Sequence, residues 1–120
     1  MAGTVTVTEK KHGTIKKIKW AWTSTAGGVA DKQTTYAYYG RCFALVTVPS
    51  GVAPPTDLYD ITITDGDSID VLLGAGANRA TATIQYVAEA SLGGVAGDKL
   101  TLNVTNAGDT KQGTVYLYLR

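Results

Sequence analysis

A chain of 120 residues is long enough for one domain and takes roughly two thirds of its unfolded surface out of water on folding, so one core suffices. With 44% hydrophobic residues, 18% charged residues and a formal net charge of +1, the composition excludes a disordered chain and supplies no bulk attraction to nucleic acid. No run approaches the roughly 18 to 20 apolar residues of a membrane helix, and the start MAGTVTVTEKK lacks an apolar signal region, so the expected setting is the cytoplasm without membrane contact.

Eighteen threonines, eleven valines and seven tyrosines favour strands, and fourteen glycines supply turns. Helix-period patterns are absent. In the first strand Val5 and Val7 share one face, with Thr4, Thr6 and Thr8 on the other. After the KKHG break, the segment Thr14 to Thr23 puts Ile18, Trp20 and Trp22 on one face as core anchors, opposite Lys17, Lys19, Ala21 and Thr23. STAGGVADK reads as a connector, Thr34 to Tyr38 as a strand, and Cys42 to Val48 as another that stops at Pro49.

PSGVAPP is an irregular loop. In the next strand Tyr59, Ile61 and Ile63 alternate with Asp60, Thr62 and Thr64, and DGDS punctuates a hairpin whose Asp-Gly supplies the positive-φ positions of a tight turn. Ile69, Val71, Leu72 and Leu73 form its short apolar return. Beyond GAGANR, Ala80 to Glu89 reads as a strand broken by SLGGVAGDK. Finally, Leu100, Leu102 and Val104 alternate with Thr101, Asn103 and Thr105, NAGDTKQG turns, and Val115, Leu117 and Leu119 alternate with Tyr116, Tyr118 and Arg120 to close a hairpin. Seven or eight strands in one domain over 1–120 predict an all-β, antiparallel β-sandwich or small barrel of jelly-roll type.

Few residues invite chemistry. From Asp65 the spacing D-G-D-S-I-D places Asp65, Asp67 and Asp70 in an oxygen-rich turn, but no glutamate closes it as a calcium loop requires. The reading is turn carboxylates in water, with no metal and no cofactor. Cys42 has no second thiol for a disulfide or zinc site and is read as structural. His12 lies in a polar turn without a nucleophile at readable spacing, so no catalytic residue is assigned. GAGANR and GGVAGDK lack phosphate-loop spacing. Asn103-Val104-Thr105 fits a glycosylation acceptor, but with no secretory signal before it and inside a strand it is set aside.

Five of the eleven cationic residues, Lys10, Lys11, Lys16, Lys17 and Lys19, fall within ten positions beside Trp20 and Trp22. Basic and aromatic residues interleaved on a sheet suit single-stranded nucleic acid. Tryptophans that face inward with Ile18 instead leave the lysines to cover an outer face or edge, or to steer docking onto an acidic protein surface. Tyr36, Tyr38, Tyr116 and Tyr118 join Lys10, Lys16, Lys17 and Lys19 as interface positions.

The segments WAWTS, APPTDLYDITITDGDSIDVLLGAGANR and LTLNVTNAGDTKQGTVYLYLR resemble, in that order, small β-rich structural proteins of tailed bacteriophages. The resemblance is carried by Trp22 and Thr23, by Pro55, Thr56, Asp57, Tyr59 and Asp60, by Gly74, Gly76, Asn78 and Arg79, and by Asn106, Ala107 and Gly108. It implies a virion protein without enzymatic activity. A decoration or cement protein on the capsid exterior comes first, assembled in the host cytoplasm, bound to the major capsid protein and to itself as a homotrimer or other homo-oligomer. A head-tail or tail component is the alternative it implies.

Overall fold

Residues 3–120 are described by the computed structural model. Strands β1 (Thr4–Lys10) and β2 (Lys16–Thr23) pair as a hairpin around the KKHG break, with Val7 opposite Trp20 and Val5 opposite Trp22. The alternation places Ile18, Trp20 and Trp22 in the core and Lys17, Lys19, Ala21 and Thr23 outside. Seven further strands follow: β3 (Ala30–Gln33), β4 (Tyr38–Pro49), β5 (Asp60–Thr64), β6 (Gln85–Ala88), β7 (Gly94–Asp98), β8 (Thr101–Thr105) and β9 (Gln112–Leu119).

Two antiparallel sheets result. The large one runs β1-β2-β9-β4-β6, with β7 pairing the start of β4, and the small one runs β3-β8-β5. From β2 to β9 the chain changes sheet at every step except between β6 and β7, which is the winding of a jelly roll. The inward residues of both sheets meet: Trp20, Leu45, Val115 and Leu117 from the large sheet, Ile61, Ile63, Leu102 and Val104 from the small one.

The fourth strand that a jelly roll would place beside β5 is replaced by turns over residues 70–79. Backbone bonds still tie them to β5: Val71 N–H donates to the Ile63 carbonyl at 2.8 Å, Ile61 N–H to Gly76 at 2.8 Å, and Arg79 N–H to Tyr59 at 2.7 Å. The apolar return expected at Ile69–Leu73 is therefore not a strand. Asp70 captures the N–H groups of Ile63, Leu72 and Gly74 with its carboxylate, an alternative to ladder pairing. Val71 and Leu72 are nonetheless buried. The positive φ of the preceding turn falls on Ser68, at 62°, rather than on Gly66.

Four other expectations change. Residues 34–37 are a bend, because the Glu9 carboxylate accepts the Thr35 and Tyr36 N–H groups at 2.9 and 3.2 Å. Two strands lie where connectors were read, β3 at the end of STAGGVADK and running on to Gln33, and β7 within SLGGVAGDK, which brings the total to nine. The strand expected from Ala80 shortens to β6 and ends in a 3-10 turn at Glu89–Ser91. β8 and β9 alternate as read but are no hairpin: they belong to different sheets. Their connection crosses the end of the sandwich, where the Ser24 hydroxyl donates to the Gly108 carbonyl at 2.7 Å and accepts the Lys111 N–H at 2.8 Å.

Candidate functional site

The face of the large sheet turned away from the core can be read in rows across the ladder. Thr8, Lys19, Tyr116, Val46 and Tyr86 lie side by side on β1, β2, β9, β4 and β6, and Lys10, Lys17, Tyr118, Ala44 and Ala88 form the next row. Partners in a ladder share a face, so the register alone gathers three lysines and three tyrosines on one open surface. Phe43 joins them at the irregularity between Cys42 and Ala44, with its ring 6.0 Å from that of Tyr118.

Contacts across strands organise this face. Lys17 Nζ stands 5.7 Å from the Tyr116 ring centre and 6.0 Å from that of Tyr118, and Lys19 Nζ stands 5.8 Å from Tyr116. These are long cation–π contacts, each worth at most about 0.5–1 kcal/mol at an exposed site. Their effect is mainly to order the lysine stems before a partner arrives, which lowers the entropy lost on binding. Thr8, Lys10, Lys17, Lys19 and Tyr116 line a depression of about 220 Å³. Beside it, Thr4, Thr6, Thr23, Val48 and Thr114 border a shallow groove of about 520 Å³.

Charge on this side is one-signed. Glu89 is already held by two arginines, Arg41 Nε and Arg120 Nη2, each at 2.8 Å. No ion pair reaches Lys10, Lys17 or Lys19 among the described residues. The face thus offers uncompensated cations beside aromatic rings, an arrangement that attracts a carboxylate- or phosphate-rich surface.

Of the interface positions read from the sequence, Lys10, Lys17, Lys19, Tyr116 and Tyr118 come together here. Lys16 does not, since it is paired with Leu119 and so shares the opposite, core-side face of β2. Tyr36 lies apart in the 34–37 bend, exposed, with Lys11 Nζ 4.1 Å from its ring centre. Tyr38 is corrected from surface anchor to core residue: it is buried, and its hydroxyl donates to Glu9 Oε1 at 2.8 Å. Burial, then the Glu9 carboxylate, pushes its pKa well above the usual phenol value. Phe43, Val46 and Tyr86 were missed. Alternation along β4 carried the signal for Val46, but Tyr86 had none without knowledge that β6 pairs with β4.

The acidic turn is regrouped as well. Asp65 and Asp67 come within 4.8 Å of Asp98, from β7, and Asp70 is not among them. Asp65 Oδ1 accepts the N–H groups of Asp67 and Ile69 at 2.9 and 3.0 Å, and both oxygens of Asp70 are occupied by backbone N–H groups. These carboxylates build turns. His12 is exposed in the β1–β2 turn. Cys42 is buried, and burial pushes its thiol up to about 12, which leaves it protonated and inert.

No helix among the described residues is long and apolar enough to cross a membrane. No protein-family model matches the chain, and no curated protein is similar to it in sequence. Among solved structures, a cupin domain from Bordetella pertussis Tohama I is similar with a TM-score of 0.39 and 12% sequence identity, over 100% of this chain and 97% of that one.

Proposed function

We propose that this protein is a non-enzymatic structural part of a tailed-bacteriophage particle, a decoration protein that docks on the capsid exterior and bridges neighbouring shell subunits. The observation that carries the reading is the open lysine–tyrosine face of the large sheet, with Lys10, Lys17 and Lys19 free of ion pairs among the described residues. The order of the resembling segments from Trp20 to Arg120 supports the phage context. Tyrosines half-buried in a sheet supply rigid contact area, and lysines steer the encounter and set register on an acidic shell surface.

Many weak sites on a symmetric lattice suit a small oligomer. A trimer at a three-fold position presents three such faces, and linked contacts raise occupancy through effective concentration. Binding the assembled lattice but not loose subunits stabilises the shell by mass action.

The test is the copy number of this protein relative to the major shell protein in purified particles, measured by quantitative mass spectrometry. Stoichiometry comparable to the shell protein is expected. A handful of copies assigns it to the head-tail joint or tail, and absence from particles overturns the virion reading. A second reading, binding of single-stranded nucleic acid, is favoured by the interleaving of Lys17 and Lys19 with Tyr116 and Tyr118. It requires steeply salt-dependent binding to an oligonucleotide whose salt slope falls when Lys17 and Lys19 are neutralised.

A further inference from the structure

Lys10 and Lys17 stand opposite each other in the β1–β2 ladder, and Lys19 follows two places along β2 on the same face. Like charges set opposite in a ladder are destabilising, so this corner of the sheet carries a cost that neutral residues would avoid. Protection of an exposed edge accounts for Lys10 alone, because β1 is the edge strand. Lys17 and Lys19 belong to β2, which is flanked by β1 and β9, and both are half-buried.

No acidic side chain answers them. Of strands β1, β2, β9, β4 and β6, only β1 carries a carboxylate, Glu9, and it alternates with the lysine side and shares the face of Val5 and Val7. Its oxygens are taken by the Thr35 and Tyr36 N–H groups and the Tyr38 hydroxyl. Glu89, just beyond β6, is held by Arg41 and Arg120. The net charge of +1 for the whole chain therefore masks a patch of three cations without a counter-charge.

Shape narrows what can supply one. Thr8, Lys10, Lys17, Lys19 and Tyr116 line a single depression of about 220 Å³. The Nζ atoms of Lys17 and Lys19 lie 5.7 and 5.8 Å from the centre of one ring in that lining, Tyr116, which gathers two ammonium groups at one wall. At roughly 30 Å³ per water, the space is that of about seven water molecules, and it falls below the roughly 300–1,000 Å³ of pockets for drug-sized organic ligands. A compact ion fits. Each ammonium brings three donors and the Thr8 hydroxyl one more. A carboxylate offers two oxygens in one plane and a single charge. A tetrahedral oxyanion offers four oxygens in four directions, and with two charges its attraction to each lysine doubles.

We infer that this depression is a binding site for one doubly charged tetrahedral oxyanion of the sulfate and phosphate class, held by Lys10, Lys17 and Lys19 with Thr8 at its rim. The site is a property of the free protein and does not rest on the virion reading, which copy number tests separately.

The probe is sodium sulfate, titrated into the isotope-labelled full chain at an ionic strength held constant with sodium chloride and followed by amide NMR shifts. The amides of Thr8, Lys10, Lys17, Lys19 and Tyr116 should move along one saturating curve. Lys17→Gln and Lys19→Gln, both outside the core, should each raise the apparent Kd about two- to fivefold. Lys32→Gln, on β3 of the small sheet, should leave it unchanged. Shifts that do not saturate, or that spread over both sheets, overturn the proposal. Equal weakening by Lys32→Gln and Lys17→Gln reports bulk charge and overturns it too. Above the second phosphate ionisation, at about pH 6, inorganic phosphate and glycerol 3-phosphate identify the source. Equal Kd values assign the site to the free ion, and tighter binding of the ester assigns it to a phosphate monoester that extends into the threonine-bordered groove.

Discussion

Glu9 sits on the first strand yet fixes a loop some 26 residues away, accepting bonds from Thr35 N–H, Tyr36 N–H and the Tyr38 hydroxyl. Its carboxylate holds β1 against the start of β4. Glu9→Gln keeps the size but loses the charge-assisted acceptors, and is expected to destabilise the fold by about 1–3 kcal/mol in urea melts. Cys42 makes a second prediction, with the sign set by burial. The thiol ionises at 9.0 in the unfolded chain and about 12 in the folded one. Its contribution is complete below pH 9.0, and stability falls from there to about 12 as the unfolded state alone releases its proton. Buried Tyr38 and Tyr59 act in the same direction, so Cys42→Ala should flatten the alkaline limb in part. Urea melts on either side of pH 9.0 check this, and a thiol reagent should label Cys42 only after unfolding.

At the scale of elements, period-two alternation was legible wherever one face is core and the other wet: β1, β2, β5, β8 and β9 all follow it. Pairing was not. β8 and β9 looked like a hairpin because their spacing permits one, and the partner that separates them, Ser24, is 84 residues from Gly108. β7 was missed because GGVAGDK has only Val95 to bury, a pattern too short to show a period. The lysine–tyrosine face was half legible for the same reason: alternation gave each strand's outward residues, but not which strands stand beside one another. The turns over 70–79 make a prediction of their own. Gly76→Ala forces a Cβ onto β5, and is expected to lower stability by about 1–3 kcal/mol and open the loop to protease. Thermal melts and limited proteolysis measure the two effects.

For the whole molecule, the charge pattern predicts kinetics. If the open face docks on an acidic shell, Lys17→Glu with Lys19→Glu leaves the melting temperature within a few degrees of wild type, because both side chains are outside the core. Association with particles stripped of the protein should nevertheless slow by roughly tenfold or more, and the wild-type rate should fall with added salt. Tyr116→Ala should act instead on dissociation, weakening retention by roughly tenfold. Surface plasmon resonance on immobilised particles separates the two rates.

The central position of β9 bears on how the chain is made. β9 lies between β2 and β4, strands that precede it by many tens of residues, and bonds to both along nearly its whole length. Until residues 112–119 leave the ribosome, the large sheet exists only as two halves, the β1–β2 hairpin and β4 with β6 and β7, each with an unfilled edge. Completion of the fold is therefore a late, single insertion. A ribosome-bound chain stalled before residue 112 should recruit chaperone and remain protease-sensitive, and one stalled after enough further sequence to clear the exit tunnel should resist both.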